Sequence, residues 1–458
     1  MTIPVAVEET LTKFDVKFGV IDVHPAAEIT NTPGIARAML LQDSAGKLQV
    51  IYSDGCLLNV DAVCKLTNRT LIATPADEIQ AICAKLKFDS LPSVPKALGC
   101  ETVIDEQLLS SSEIKLASGS TQHLLTIDRE NFKRLAAGAL KGTVSISQKA
   151  SHPSDFNEND DADQIITAVS NFTELRIKQR LEDTLEFPPL PETARRIIKL
   201  RADPNADIKD LTNIVESDPP LAAQVVSWAA SPYYAAPGKI KSLHDAIVRV
   251  LGFDLVLNLS LGLSLGETLK MPKDGVKGFT PYWQQSVYAA AAVEALVGAI
   301  PPKERPVMGL AYLSGLLHNF GYLILSEVFP PHFSSICRYQ EANPYSSHGE
   351  IENHLLGVTR EQMGSWLMRL WNMPEEVCTA IRFQNEVNYV KEGSSYANLL
   401  FIAMRLLRKH GIGDAPLEAI PQSLFDSLHL DPEKAMEVID NVMTSSADLD
   451  LMASNLAA

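Results

Sequence analysis

The sequence predicts two parts in tandem, a mixed α/β domain and then an all-helical one. Three observations carry this. Residues 1–140 alternate short apolar runs with turn residues and helical spacings. Residues 141–163 turn polar, with Ser145, Ser147, Ser151 and Ser154 followed by Asn157, Glu158, Asn159, Asp160, Asp161 and Asp163. After residue 164 no strand pattern appears, and helical patterns follow one another, punctuated by Pro.

In the first part, Ala36–Leu41 and Leu48–Tyr52 are apolar runs joined by Asp43-Ser44-Ala45-Gly46, which reads as a hairpin. Thr70–Ala73 reads as a short strand, and Pro75–Lys87 as a helix with Pro in its first turn. Ile114–Ala117 and His123–Ile127 form a second strand pair around Ser118-Gly119-Ser120. Asp128 then caps a helix expected to run to about Leu140. Residues 141–163 bury too little to fold and are expected as a solvated linker. Residues 164–185 space Ile165, Val169, Phe172 and Leu181 as a helix that either packs on the next domain or stays exposed.

The helical domain, 164–458, is expected to open on Phe187-Pro188-Pro189-Leu190-Pro191. Asp207 and Ser242 stand as N-caps, the latter starting a long helix through Leu251 and onward. Ala289–Ala292 give the helix begun at Thr280-Pro281-Tyr282-Trp283 a small face for a close neighbour. Further helices are expected over 306–318, 322–329, 332–341, 349–356, 360–371, 375–385 and 394–409. Within this domain, Gly315-Leu316-Leu317-His318-Asn319-Phe320-Gly321 sets two polar side chains in an apolar run. Burying them costs free energy unless each finds a partner, so this stretch marks a site or a hydrogen-bond network.

Composition narrows the function. The 458 residues are 46% hydrophobic, enough for two or three cores. A net charge of −16 repels phosphates and argues against general nucleic-acid binding. The six cysteines form no C-x-x-C pair and read as reduced thiols of a cytoplasmic protein. Met1-Thr2-Ile3-Pro4-Val5 lacks the pattern of a signal peptide. The apolar stretch Ala246–Leu269 is broken by Arg249, Asp254, Asn258 and Glu267, so it is expected as a bundle helix and not a membrane span. No phosphate-binding Gly-rich loop and no G-x-S-x-G elbow is present.

Two resemblances follow from these residues. The element order of roughly the first 140 residues resembles the YbaK/prolyl-tRNA deacylase-like editing domain. Those enzymes carry a Lys at the start of the strand that here begins Arg37-Ala38-Met39, and a Gly-x-x-x-Pro loop for the aminoacyl group. Here that loop is Leu91-Pro92-Ser93-Val94-Pro95. Leu91 crowds a position where Gly allows close approach, and the planar head of Arg37 does not replace a compact ammonium. The remnant pocket of Arg37, Leu91 and Pro95 is therefore expected to be inactive, and tRNA is not an expected partner.

The second part resembles an HDOD domain, a regulatory relative of HD-type metal phosphohydrolases. The likeness rests on Phe187-Pro188-Pro189-Leu190-Pro191, Glu216-Ser217-Asp218-Pro219, Tyr282-Trp283, Gly315-Leu316-Leu317-His318 and Trp371-Asn372-Met373-Pro374. The resemblance implies a helical bundle around a metal position held by His and Asp. Matched one by one, those positions fall on Gln285, His318, Asn319, Arg360, Gln384, Asn385 and Asn398. Only His318 keeps a good ligand, and Arg360 either faces the site and repels a cation or pairs with Glu352. No metal, other cofactor or catalytic residue is expected. The expected role is a non-catalytic bacterial regulatory protein that binds signalling partners or a small ligand. The alternatives are a metal phosphohydrolase with unusual ligands and an editing hydrolase working through the N-terminal domain.

Overall fold

The computed structural model describes residues 3–22, 35–147, 158–179, 189–236, 238–266, 268–272, 275–276, 280–387, 389–416 and 418–457. The start of the expected opening motif (Phe187-Pro188), residues 148–157 of the expected linker and Leu181 of the expected connecting helix lie outside them. The chain divides into two compact units. One joins the N-terminal chain to Ser334–Ile351, and the other comprises the remaining helices.

The first unit is α/β. Its strands are β1 (Gly19–Asp22), β2 (Ile35–Asp43), β3 (Gly46–Ser53), β4 (Cys56–Leu58), β5 (Ile72–Ala73), β6 (Glu101–Asp105), β7 (Glu113–Ala117), β8 (His123–Asp128), β9 (Leu140–Gly142) and β10 (Ser145–Ser147). Its helices are α1 (Val5–Lys13), α2 (Val60–Thr67), α3 (Ala76–Leu86) and α4 (Arg129–Leu135). The main sheet runs β1-β8-β7-β2-β3-β6-β9, with β5 paired to β2, and β10 pairs with β4. The hairpins β2–β3 and β7–β8 are antiparallel, while β2–β7, β3–β6 and β6–β9 are parallel. The turn of the first hairpin is set by Asp43, whose Oδ1 accepts from Ala45 N at 2.8 Å.

Strand alternation sends Ala36, Ala38 and Leu40 into a core with α1, α3 and α4. Met39 and Leu41 point the other way, into a core that takes in Val60 and Val63 of α2 and also Ala342. Ser334–Ile351 is fixed beside β4. The Asn343 amide accepts from Leu58 N at 2.6 Å and donates to Leu58 O at 3.2 Å, reproducing a strand pairing with one side chain.

The helices that follow are α5 (Glu158–Gln179), α6 (Glu192–Arg201), α7 (Ile208–Glu216), α8 (Pro219–Ala229), α9 (Leu243–Ala246), α10 (Phe253–Gly266), α11 (Tyr282–Ala299), α12 (Met308–Leu317), α13 (Phe320–Val328), α14 (Pro330–Ala342), α15 (His348–Leu356), α16 (Arg360–Leu370), α17 (Glu375–Phe383), α18 (Ser394–Lys409), α19 (Gln422–Ser427), α20 (Pro432–Thr444) and α21 (Ser446–Ala457). The predicted caps are in place: Asp207 closes a capping box with Asp210, and Ser242 accepts from Asp245 N. The Ala289–Ala292 face does admit a close neighbour, since a Cβ on Gly315 of α12 would stand 2.7 Å from Ala290 Cα. Met308–Val328 is long and apolar enough to cross a bilayer, and 89% of an 18-residue apolar window within it is buried within the protein.

Four expectations need correcting. The helix after Asp128 stops at Leu135, and Leu140–Gly142 is strand β9. The expected linker is not wholly solvated, because Ser145–Ser147 is strand β10 and α5 begins at Glu158. The long helix after Ser242 is interrupted by a π turn over Ile247–Leu251 and by Gly252 at φ +81°, where a side chain would be strained. Residues 334–351, expected in the helical domain, cluster with the α/β unit.

Gly321 tests the packing. A Cβ there would lie 1.8 Å from Arg360 O, in the backbone of α16. Gly321→Ala is expected to cost about 3 kcal/mol or more by overpacking. Gly298→Ala, with nothing within 4 Å of its Cβ, should leave stability unchanged or raise it by up to about 1 kcal/mol. All four tryptophans lie in the helical unit, so fluorescence-monitored urea unfolding reads both variants.

Candidate functional site

The apolar run of α12 ends at His318, and Asn319 stands between α12 and α13. Both side chains are buried and each has a local partner. His318 Nδ1 lies 2.8 Å from Gly315 O. A carbonyl only accepts, so Nδ1 carries a proton and donates. Gln384 Nε2 donates to the carbonyls of His318 at 2.8 Å and Ile381 at 3.0 Å.

Asn319 lies inside a closed circuit. Its Nδ2 donates to Gln285 Oε1 at 3.4 Å, and Gln285 Nε2 donates to Thr280 O at 2.6 Å. Its Oδ1 accepts from Arg360 Nη1 at 3.1 Å, and the same Nη1 donates to Asp414 Oδ2 at 2.9 Å. Gly413 N, one residue back, donates to Thr280 Oγ1 at 2.9 Å and closes the circuit. Glu352 holds Arg360 from a further side: its Oε1 accepts from Nε at 2.6 Å and its Oε2 from Arg360 N at 2.8 Å.

Arg360 is 3% exposed and Glu352 fully buried. Burial pulls the Arg360 pKa down, but Glu352, Asp414 and Glu361 outweigh it and leave it above the ordinary arginine value. The Arg360 guanidinium also faces the Tyr322 ring at 5.1 Å.

Gln285, Asn319 and Arg360 are thus joined by hydrogen bonds, and Gln384 is bonded separately to the His318 carbonyl. Asn385 and Asn398 turn elsewhere: Asn385 Nδ2 donates to Glu361 at 3.0 Å and Asn398 Nδ2 to Ser427 at 3.0 Å. In the α/β unit, the expected remnant editing residues are not brought together. Leu91 belongs to the core that holds Ala36 and Ala38, whereas Arg37 projects from the opposite face of β2. There Arg37 pairs with both Asp54 oxygens, at 2.6 and 3.2 Å, and stacks on Tyr345 at 4.2 Å. The Leu91–Pro95 loop is pinned by buried Gln49, which donates to Pro92 O at 2.8 Å.

The model of the HDOD domain matches residues 187–387. A candidate signal transduction protein from Marinobacter aquaeolei VT8, known by crystal structure, is 40% identical, with each chain covered in full and a TM-score of 0.90. The chain carries an HDOD domain over residues 187–387. An HDOD domain protein of unknown function from Geobacter sulfurreducens shares the fold, at 21% identity and a TM-score of 0.50 over 63% of this chain and 97% of its own. An uncharacterized protein of Treponema pallidum (strain Nichols) is 22% identical over 284 residues, 60% of this chain. The chain spans about half, 52%, of that curated relative's length.

Three parts of the helical unit's polar interior were not expected from sequence. Asp414 follows Gly411 and Gly413 in what reads as a plain turn. Asp161, expected in solvent, is buried: Arg382 pairs with its two oxygens, one bond being 2.9 Å, and Gln362 Nε2 donates to it at 2.7 Å. The third is a chain of ring side chains around Glu294. Trp228 Nε1 donates to Tyr312 OH at 2.9 Å, and Tyr234 OH donates to Glu294 Oε2 at 3.4 Å. Desolvation raises the Glu294 pKa from 4.5 to about 7, against the small opposing pull of Tyr234. No group of three or more His, Cys, Asp or Glu side chains suited to a metal occurs among the described residues.

Two predictions follow from these charges. Arg360→Met leaves Glu352 buried without its cation and should destabilise the HDOD domain by about 3–5 kcal/mol, most of it regained in Arg360→Met/Glu352→Met. Tryptophan-monitored urea unfolding measures both. For Glu294, the folded state holds its proton to about pH 7 and the unfolded state releases it near 4.5. Stability therefore falls as pH rises through that window and stays lowered above it. Glu294→Gln should unfold about 1–3 kcal/mol later than the parent at pH 8 and equally at pH 4.5, by the same measurement.

Proposed function

We propose that this protein is a non-catalytic signal-transduction protein, whose HDOD domain binds other signalling proteins or a small ligand and does not cleave phosphoesters. The observation that carries the reading is the Arg360 guanidinium, bonded to Asn319 where the family's phosphohydrolase relatives hold a dication. The residues present do not fit such an ion. At about 4 Å and an effective dielectric near 20, unit charges interact by ~4 kcal/mol, so Arg360 opposes a dication by roughly 8 kcal/mol. The two carboxylates within reach, Glu352 and Asp414, already neutralise Arg360. Gln285, Asn319 and Gln384 offer amides, and four of their polar atoms bond to one another or to main chain. Without a held cation there is no activated water for phosphoester attack. The description of the Marinobacter relative as a candidate signal transduction protein supports the same reading.

The α/β unit is read as keeping a YbaK-like element order without an editing site. Arg37 is committed to Asp54 and Tyr345 on one face of β2 and Leu91 packs on the other, which supports that reading. The net charge of −16 speaks against tRNA as a ligand.

Protein purified without chelator should carry no stoichiometric manganese or iron by inductively coupled plasma mass spectrometry. One metal per chain, with turnover of a cyclic dinucleotide abolished by His318→Ala, would overturn the reading. Deacylation of mischarged tRNA should run at background for both the parent and Arg37→Ala; a parent rate above background that Arg37→Ala removes would restore the editing alternative.

A further inference from the structure

Helix α5 precedes the matched HDOD residues, yet it packs on α16 within the helical unit. Among its described side chains only Asp161, Ile165 and Ala168 are buried, a single stripe at i, i+4 and i+7. Over the described side chains, 160–170, two aliphatic groups are buried. The other attachment seen in this stretch is polar. The Asp161 carboxylate is held by Arg382 and by Gln362 Nε2, and Gln164 of the same helix accepts from Gln362 Nε2 at 2.8 Å.

Gln362 has a second task. It is the third residue of α16, and its Oε1 accepts from Thr359 N at 2.9 Å while Thr359 Oγ1 accepts from Gln362 N at 3.4 Å. That reciprocal pair is the capping box of α16. Arg360 is the first residue of this helix, inside the box, and its own amide is bonded to Glu352. One amide side chain thus joins α5 to the cap that positions the centre of the buried network.

We propose that α5 is a releasable latch, with Asp161 as its catch and Gln362 as the residue that passes its state to Arg360. Docked, α5 gives Gln362 Nε2 both of its recorded acceptors and holds the side chain in the capping rotamer. Released, it withdraws both acceptors from a buried donor, which must turn to find others, and the cap loosens. Release also uncovers Arg382 and Gln362 together, a carboxylate receptor that an acidic side chain of a partner helix can fill in place of Asp161. The latch does not depend on whether the HDOD domain is catalytic.

Hydrogen exchange of the full chain at constant pH tests this. The amides of Arg360 and Gln362 lie in the first turn of α16, protected by Glu352 and Thr359, so their exchange reads the cap directly. In Asp161→Asn, peptides of α5 should exchange at least tenfold faster and the first turn of α16 at least threefold faster, with α11 unchanged. Exchange in α5 within twofold of the parent, or equal acceleration in α11, would overturn the latch. Ile165→Ala releases α5 through its apolar contact instead. It should give the same acceleration at Arg360 and Gln362; a freed α5 with an unmoved α16 cap would overturn the role of Gln362.

Discussion

A guanidinium buried to 3% exposure sets the terms for the helical bundle. A charge taken that far from water destabilises a fold by several kcal/mol unless carboxylates and hydrogen-bond acceptors close around it. Here they do. Glu352 takes the Nε side and the backbone amide, Asp414 takes Nη1, and Asn319 takes the same nitrogen from the polar motif. Each of these comes from a different stretch of chain, so one side chain fixes α15, the α12–α13 junction and the turn after α18. Glu352, fully buried, is in turn held in place by the cation it neutralises.

The backbone has to come close for this to work. Gly321 sits against the Arg360 carbonyl with no room for a methyl group, and Gly315 sits against the α11 main chain. The two glycines bracket His318 and Asn319 in sequence. The spacing G-x-x-H-N-x-G is therefore a packing device as much as a chemical one. It brings α12 and α13 to backbone contact with α11 and α16, and the two polar side chains between them reach Gln285 and Arg360.

Much of this was legible in the sequence where the signal is local. Asp43, Asp128, Asp207 and Ser242 all do what short polar residues at turns and helix starts do, and each was placed correctly. The adjacent His318 and Asn319 announced a buried polar site because an apolar run has no other reason to hold them. What escaped is non-local. The parallel pairings β2–β7 and β3–β6 join strands far apart in sequence, and nothing near Asn343 says that its amide will pair with Leu58. Asp161 looked solvated because its neighbours are acidic and polar; its partner Arg382 is 221 residues away. The separation of Arg37 from Leu91 was within reach of a period-two reading of β2, since Ala36 and Ala38 flank Arg37 and face the Leu91 core.

A metal ion in a helical bundle does two things at once: it activates water, and it ties together the helices that supply its ligands. The second task can be done by other chemistry. Arg360 offers five donors on a planar fork, with a charge that cannot be titrated away, and it collects two carboxylates and an amide much as a cation collects ligands. In the proposed reading, such an exchange keeps the mechanical cross-link and gives up the Lewis acid. It also changes what the site can sense. A coordination sphere responds to the metal supply, whereas a hydrogen-bond circuit responds to the position of each strand of chain that enters it. Thr280, Gly413 and the cap at Thr359 are such entry points, all of them backbone or short side chains whose placement follows the helices they end. On the proposed reading, a bundle tied together in this way is suited to registering movements of its own helices.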